Sequence, residues 1–176
     1  KAAPGAGERV ALQRASIASA LRFAAGFPAD GRVGRVTTNA AESLLAMGDA
    51  EGATKVARQA LAGSASEAEQ RTAWTVLAVG AFDRNQFAEA EQAFGQAMQR
   101  AGNGTPQAND LAERRAAAIY KQGDAARSAG RMRDAIGHFE RLASLAPQSG
   151  MRAAAQFDVA TALIGLVALR LPWPLT

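Results

Sequence analysis

The sequence predicts an all-α fold, and three observations carry that prediction. Alanine supplies 45 of the 176 residues; it has the highest helix propensity and lets helices approach closely, which favours packed helices over sheets. The β-branched residues are few and scattered, and no segment sustains the alternation of apolar and polar residues that a half-buried strand needs. Amphipathic runs of helical length recur along the chain, separated by short polar breaks such as DRNQ at 83–86. With 48% hydrophobic residues the chain has ample material for a core, so a globally disordered chain is excluded.

Taken in order, residues 8–25 (ERVALQRASIASALRFAA) read as one amphipathic helix ending near GFP. This helix is either the second helix of an earlier, truncated repeat or an N-terminal cap. Three helical hairpins follow, expected over 34–67, 71–104 and 116–149. The middle one carries Trp74, Leu77, Ala78, Ala81, Phe87, Ala90, Phe94 and Ala97. An offset of 45 places Ile119, Gly123, Ala126, Met132, Ala135, Phe139 and Leu142 on the same slots, and Gly130 and Pro147 complete that set. An offset of 37 in the other direction gives Thr37, Ala41, Leu44, Gly48, Ala50, Ala53, Ala57 and Ala60.

The shared spacing has a direct physical reading. Small residues at Ala41, Ala78 and Gly123 belong where the two helices of a hairpin touch, and Ala53, Ala90 and Ala135 make the matching contact from the second helix. Gly48, Asn85 and Gly130 fall where the first helix ends, a place for the left-handed conformation of a C-cap. The large apolar residues Trp74, Leu77, Phe87, Phe94, Phe139 and Leu142 are expected to fill the space between neighbouring hairpins, and Pro147 to stop its helix.

The segment 105–115 is an expected long linker, within a stretch (AGNGTPQANDLAERR) carrying eleven residues beyond a 34-residue period. Its GNGTPQ part reads as a solvent loop, with the next helix starting at Asn109 or Asp110 and Asp110 as its N-cap. Residues 151–171 begin like a fourth hairpin, with Phe157, Thr161 and Gly165 at the expected slots. The following VALRLPWPLT supplies two prolines and puts Arg170 where a small residue belongs. One helix over about 151–170 is expected instead, either capping the array or exposing an apolar face to a partner.

These spacings resemble the tetratricopeptide repeat, a 34-residue helix–turn–helix unit with an aromatic, Leu, Gly and Tyr in its first helix and Ala, Phe, Ala and Pro in its second. The match is good in the units at 71–104 and 116–149 and weaker at 34–67, where alanines replace the large residues; the resemblance spans about 34–166. It implies a right-handed solenoid of antiparallel helical hairpins, about three full repeats plus flanking helices, forming one helical domain over 1–176. Such stacks curve, and their first helices line a concave groove without catalytic groups. That register would place Thr38, Asn39, Glu42 and Leu45 in the groove from the first unit. The second would add Thr75, Val79, Phe82 and Asp83, and the third Tyr120, Lys121, Asp124 and Arg127. Phe82 and Tyr120 are candidates either to anchor a peptide or to pack between hairpins. The family's two-carboxylate clamp for chaperone C-termini is not expected, because its basic and Asn slots hold Thr38, Glu42, Val76, Ala117 and Lys121, only one of them basic.

No reaction chemistry is visible. His138 is the single histidine and there is no cysteine, so disulfides, thiol catalysis and cysteine-rich zinc sites are excluded. The serines sit in no Gly-x-Ser-x-Gly elbow and no P-loop occurs. Glu89 and Glu91 are side by side on one helix and are expected to point apart. The expectation is therefore no enzyme, no metal and no cofactor, and a protein or peptide as partner.

Of the 20 basic residues 17 are arginine, giving a net charge of +4, but they stand singly among Asp and Glu with no interleaved aromatics. Nucleic acid is an unlikely partner on that pattern; an anionic polymer, whether nucleic acid or cell-wall glycan, stays as one alternative. Self-association through the apolar C-terminal helix is the other. The run VATALIGLVALRLP is too short to span a bilayer, which needs roughly 20 apolar residues. The chain opens on Lys1 rather than Met, without a visible signal peptide, so its start is expected to be processed or an excerpt. Absence of cysteine fits cytoplasm and periplasm alike. The alanine and arginine richness suggests a bacterial source, where by analogy tetratricopeptide proteins often serve envelope assembly.

Overall fold

The computed structural model describes residues 5–168. Within them the chain forms eight α-helices and no strand: α1 (Ala6–Gly26), α2 (Val33–Ala46), α3 (Ala50–Ala62), α4 (Glu67–Asp83), α5 (Phe87–Gln99), α6 (Pro106–Ser128), α7 (Met132–Leu145) and α8 (Arg152–Ala168). Each helix packs on the next one in the chain, and α2 also packs on α4. None of the described helices is long and apolar enough to cross a membrane. Arg170 and the prolines at 172 and 174, which bear on the fourth hairpin, lie outside the described residues.

One turn occurs three times and sets the architecture. It joins α2 to α3, α4 to α5 and α6 to α7, each time through three residues whose middle member has positive φ: Gly48 at 81°, Asn85 at 59° and Gly130 at 74°. The hydrogen bonds are also the same. The middle N–H donates three residues back (Gly48 to Leu45, Asn85 to Phe82, Gly130 to Arg127) and the third N–H five back (Asp49 to Leu44, Gln86 to Ala81, Arg131 to Ala126), all at 2.9–3.0 Å. This is a Schellman C-cap, which satisfies carbonyls that the helix end would leave unpaired. The third residue then becomes the N-cap of the next helix, its carbonyl accepting from Ala53, Ala90 or Ala135. Only Asp49 among the three also caps with its side chain, accepting from the Gly52 N–H at 2.8 Å. Gly, Asn and Gly occupy the one site in each turn where an L-residue with a large Cβ substituent would be strained.

The other helix starts follow local capping. Ser66 and Glu69 form a reciprocal capping box at α4. At α6 the Thr105 hydroxyl accepts from the Ala108 N–H at 3.1 Å, and Pro106 occupies the first turn. This corrects the expected start at Asn109 or Asp110: α6 runs 23 residues, and of the GNGTPQ stretch Pro106 and Gln107 are helical. Asp110 instead pairs with Arg114 one turn on, at 2.7 Å.

The core is an alanine core. Among the described residues 27 hydrophobic ones are buried and 19 of these are alanine, so helices approach closely while each contact buries little apolar area. Three clusters divide it. The first joins Ile17, α2, α3 and the first half of α4; the second joins α4, α5 and α6; the third joins α6, α7 and α8. The expected contact residues Ala41, Ala53, Ala78, Ala90 and Ala135 are all fully buried. Gly123 marks the tightest approach, for a Cβ there would stand 2.5 Å from the Phe139 ring. Phe139 thus packs within its own hairpin, against Gly123 and Tyr120, and not chiefly between hairpins as the sequence suggested.

Candidate partner-binding surfaces

The twelve residues singled out from the repeat register meet different fates. On α2, Thr38 is only 2% exposed, and its hydroxyl donates back to the Gly34 and Arg35 carbonyls at 3.0 and 3.1 Å. Burial with its donor already spent removes Thr38 from a binding row, a correction to the expectation. Asn39 and Glu42 are exposed, and Leu45 packs half-buried against the first cluster. On α4, Thr75 donates to the Arg71 carbonyl at 2.9 Å. Val79 and Phe82 pack on the second cluster, Phe82 edge-on to Phe87 with ring centroids 5.2 Å apart. Asp83 is exposed.

On α6, Lys121 is exposed, whereas Tyr120, Asp124 and Arg127 belong to one polar network. The Tyr120 hydroxyl donates to Asp158 of α8 at 2.6 Å, and Arg127 bonds Asp158 and Asp124, both at 2.6 Å. Asp158 is 7% exposed, so this is a desolvated carboxylate held by a guanidinium and a phenol. The hydrogen bond to Asp158, with burial and the carboxylate's charge adding to it, pushes the Tyr120 hydroxyl above its ordinary pKa. The Asp124 bond does most to hold Arg127 in its charged form. Tyr120 and Phe82 are therefore occupied in packing, and the solvent-open members of the row are Asn39, Glu42, Asp83 and Lys121.

A second buried carboxylate was not singled out from sequence. Glu91 on α5 is 6% exposed and receives Arg141 of α7 in bidentate fashion, both bonds 2.9 Å. Gln122 of α6 donates to it at 2.8 Å, and Arg115 stands 3.7 Å away. Arg141 also reaches His138 Nδ1 at 3.2 Å; a guanidinium only donates, so that nitrogen accepts and the imidazole is neutral. Burial first, and the Arg141 charge second, push the His138 pKa down. Glu89 does point apart from Glu91, outward into solvent. The signal that could have exposed Glu91 was the repeat itself: the two equivalent slots hold Thr54 and Ile136, which marks the position as inward-facing.

A concavity of about 940 Å³ lies elsewhere, between α3, α4 and α5. Arg58, Leu61, Trp74, Leu77, Arg84 and Arg115 line part of it, and none of the twelve residues does. Two buried donors of its lining residues, Trp74 Nε1 and Arg115 Nε, have no acceptor among the described residues, while Arg100 lies 6.0 Å from the Trp74 ring centroid. The half-buried Trp74 side chain borders a cleft in which Arg58, Arg84 and Arg115 stand together with the carboxylates of Glu89 and Glu91. No group of three or more His, Asp or Glu side chains converges as a metal site among the described residues. Comparison of the sequence with protein-family models and with curated proteins finds no match.

Proposed function

We propose that this chain is a non-catalytic helical scaffold, tetratricopeptide-like in its hairpins and stacked as a right-handed solenoid, that binds a partner protein or peptide. The observation that carries this reading is the threefold recurrence of one C-cap turn between paired helices. A chain that repeats one brick builds an extended surface, and recognition along it needs shape and side-chain contacts with no covalent step. The buried carboxylates Glu91 and Asp158 are spent on structure: Glu91 ties α5 to α6 and α7, and Asp158 ties α8 to α6. Pairing of Arg32, Arg114, Arg127 and Arg141 with carboxylates favours a protein partner over a polyanion.

The test is selection of binding peptides from a random display library on the purified chain, followed by affinity measurement on variants. Asp83→Arg with Lys121→Glu alters the open row, and Arg84→Glu alters the cleft. Loss of affinity by about tenfold or more, some 1.4 kcal/mol, on one of these variants assigns the face. Equal binding to all of them, or no enriched peptide, defeats the reading.

A further inference from the structure

The concavity between α3, α4 and α5 has a counterpart one hairpin earlier. A cleft of about 680 Å³ lies between α1, α2 and α3. The two match residue by residue: Thr37, Val56 and Gln59 of the earlier cleft stand 37 residues before Trp74, Ala93 and Gln96 of the later one. That offset is the one relating the first two hairpins, so the chain presents one depression twice, and α3 lines both. Each includes partly buried leucines, Leu21 and Leu44 in one and Leu61 and Leu77 in the other. Exposed glutamines join them, Gln59 in the first and Gln92 and Gln99 in the second.

The charges lining the two clefts do not balance. Of their three carboxylates, Asp49 accepts from the Gly52 N–H as a cap, and Glu91 is held by Arg141 and Arg115. That leaves Glu89, exposed and bonded by Gln86 at 3.5 Å. Against it stand Lys55, Arg58 and Arg84, all exposed and in no ion pair among the described residues. Arg84 bonds only the neutral Gln86 and Thr54 side chains. The surplus is positive, which draws a partner of negative charge. The clefts differ at one slot. Thr37 spends its hydroxyl on the Gly34 carbonyl at 3.0 Å, whereas Trp74 has a buried Nε1–H without an acceptor among the described residues. A desolvated donor left unpaired is costly, so an oxygen brought from outside the chain gains by meeting it.

We propose that the two clefts receive an extended acidic segment of the partner protein, its apolar side chains entering the clefts and its carboxylates meeting Lys55, Arg58 and Arg84, with Trp74 Nε1 donating to one of its oxygens. The occupant is a peptide and not a bare polyanion, because the cations are set among leucines, an indole and amide side chains that a chain of phosphates would leave unused. The inference rests on the partner-binding reading and names the chemistry of the partner and the side it meets. The open row Asn39, Glu42, Asp83 and Lys121 lines neither cleft.

Peptides selected from the display library on the unaltered chain are the probes. They are expected to carry Asp or Glu beside large apolar residues, and to bind less tightly as salt rises. Trp74→Phe, and the double variant Lys55→Glu with Arg58→Glu, are checked for helicity by circular dichroism. Each is expected to weaken binding by about tenfold. The indole N–H resonance that Trp74→Phe removes is expected to shift when the unaltered chain is saturated with peptide. Selected peptides without acidic residues overturn the proposal, as do acidic ones without apolar residues, which would indicate a polyanion site. Full affinity for either variant, or an indole resonance unmoved at saturation, overturns it too. In each of these cases peptide binding itself survives, so the partner-binding reading stands. A library that yields no binder defeats both.

Discussion

Gly123 and Gly165 occupy the same register in α6 and α8 and should respond oppositely to the same substitution. A methyl group on either gains about 1 kcal/mol of helix propensity. At Gly123 it also meets three atoms of the Phe139 ring at 2.5, 2.8 and 2.9 Å, and that ring is fully buried. Overpacking of this kind costs about 1–3 kcal/mol, and a ring closed in on every side cannot swing away, so the steric cost wins. Gly123→Ala is expected to lower the urea midpoint, and Gly165→Ala, with open space around it, to raise it by up to about 1 kcal/mol of stability. Shifts of the same sign would show that the Gly123–Phe139 contact does not set the approach of α6 and α7. Positions like these are legible in sequence because their requirement is local. A left-handed φ at Gly48, Asn85 and Gly130, or a missing Cβ at Gly123, leaves a residue-type signature at a fixed spacing. The ring that fills the gap at Gly123 is legible as a slot, shared by Phe94 and Phe139, but its place within its own hairpin emerges only from the packing.

At the scale of elements, two buried carboxylates tie helices together, and the partners of neither are legible in the sequence, although the repeat marks Glu91 as inward-facing. Glu91 pairs with Arg141 fifty residues away, and Asp158 with Tyr120 thirty-eight residues back; local periodicity carries no information about partners at such separations. The Glu91 knot makes stability depend on pH through His138. Its pKa is depressed in the folded chain by burial and by Arg141, so the unfolded chain, with histidine near 6.5, binds more protons. Stability from this group is present above about pH 6.5 and lost as pH falls through the lower folded value. Asp30, held down at about 2 by Arg32, titrates far below this window and does not contribute to the slope there. The urea midpoint is therefore expected to fall between pH 7.5 and 5.5, and His138→Gln, which stays neutral, to flatten that fall. An unchanged slope in the variant would place the sensitivity elsewhere.

Across the whole molecule, the chain is a series of neighbours with α4 and α6 as its joints. The first and second clusters share α4, and the second and third share α6. The order of hairpins was readable from short breaks and a fixed spacing. The length of α6 is not, because Asp110 offers a second cap and GNGTPQ has the composition of a loop, although Thr105 followed by a first-turn Pro106 sets the helix start. A serial architecture should lose stability locally. Val56 lies on α3 in the first cluster at 4% exposure, and Val56→Ala removes two buried carbons, worth roughly 1.5–2 kcal/mol. Disturbance from such a loss passes along the series only through the shared helices. Native-state hydrogen exchange read by mass spectrometry is expected to show lost protection in α2 and α3, a smaller loss in α4 and none in α7, since third-cluster contacts do not include Val56. Equal loss in all the helices would mean that α4 and α6 transmit the whole perturbation and that the molecule opens as a single cooperative unit.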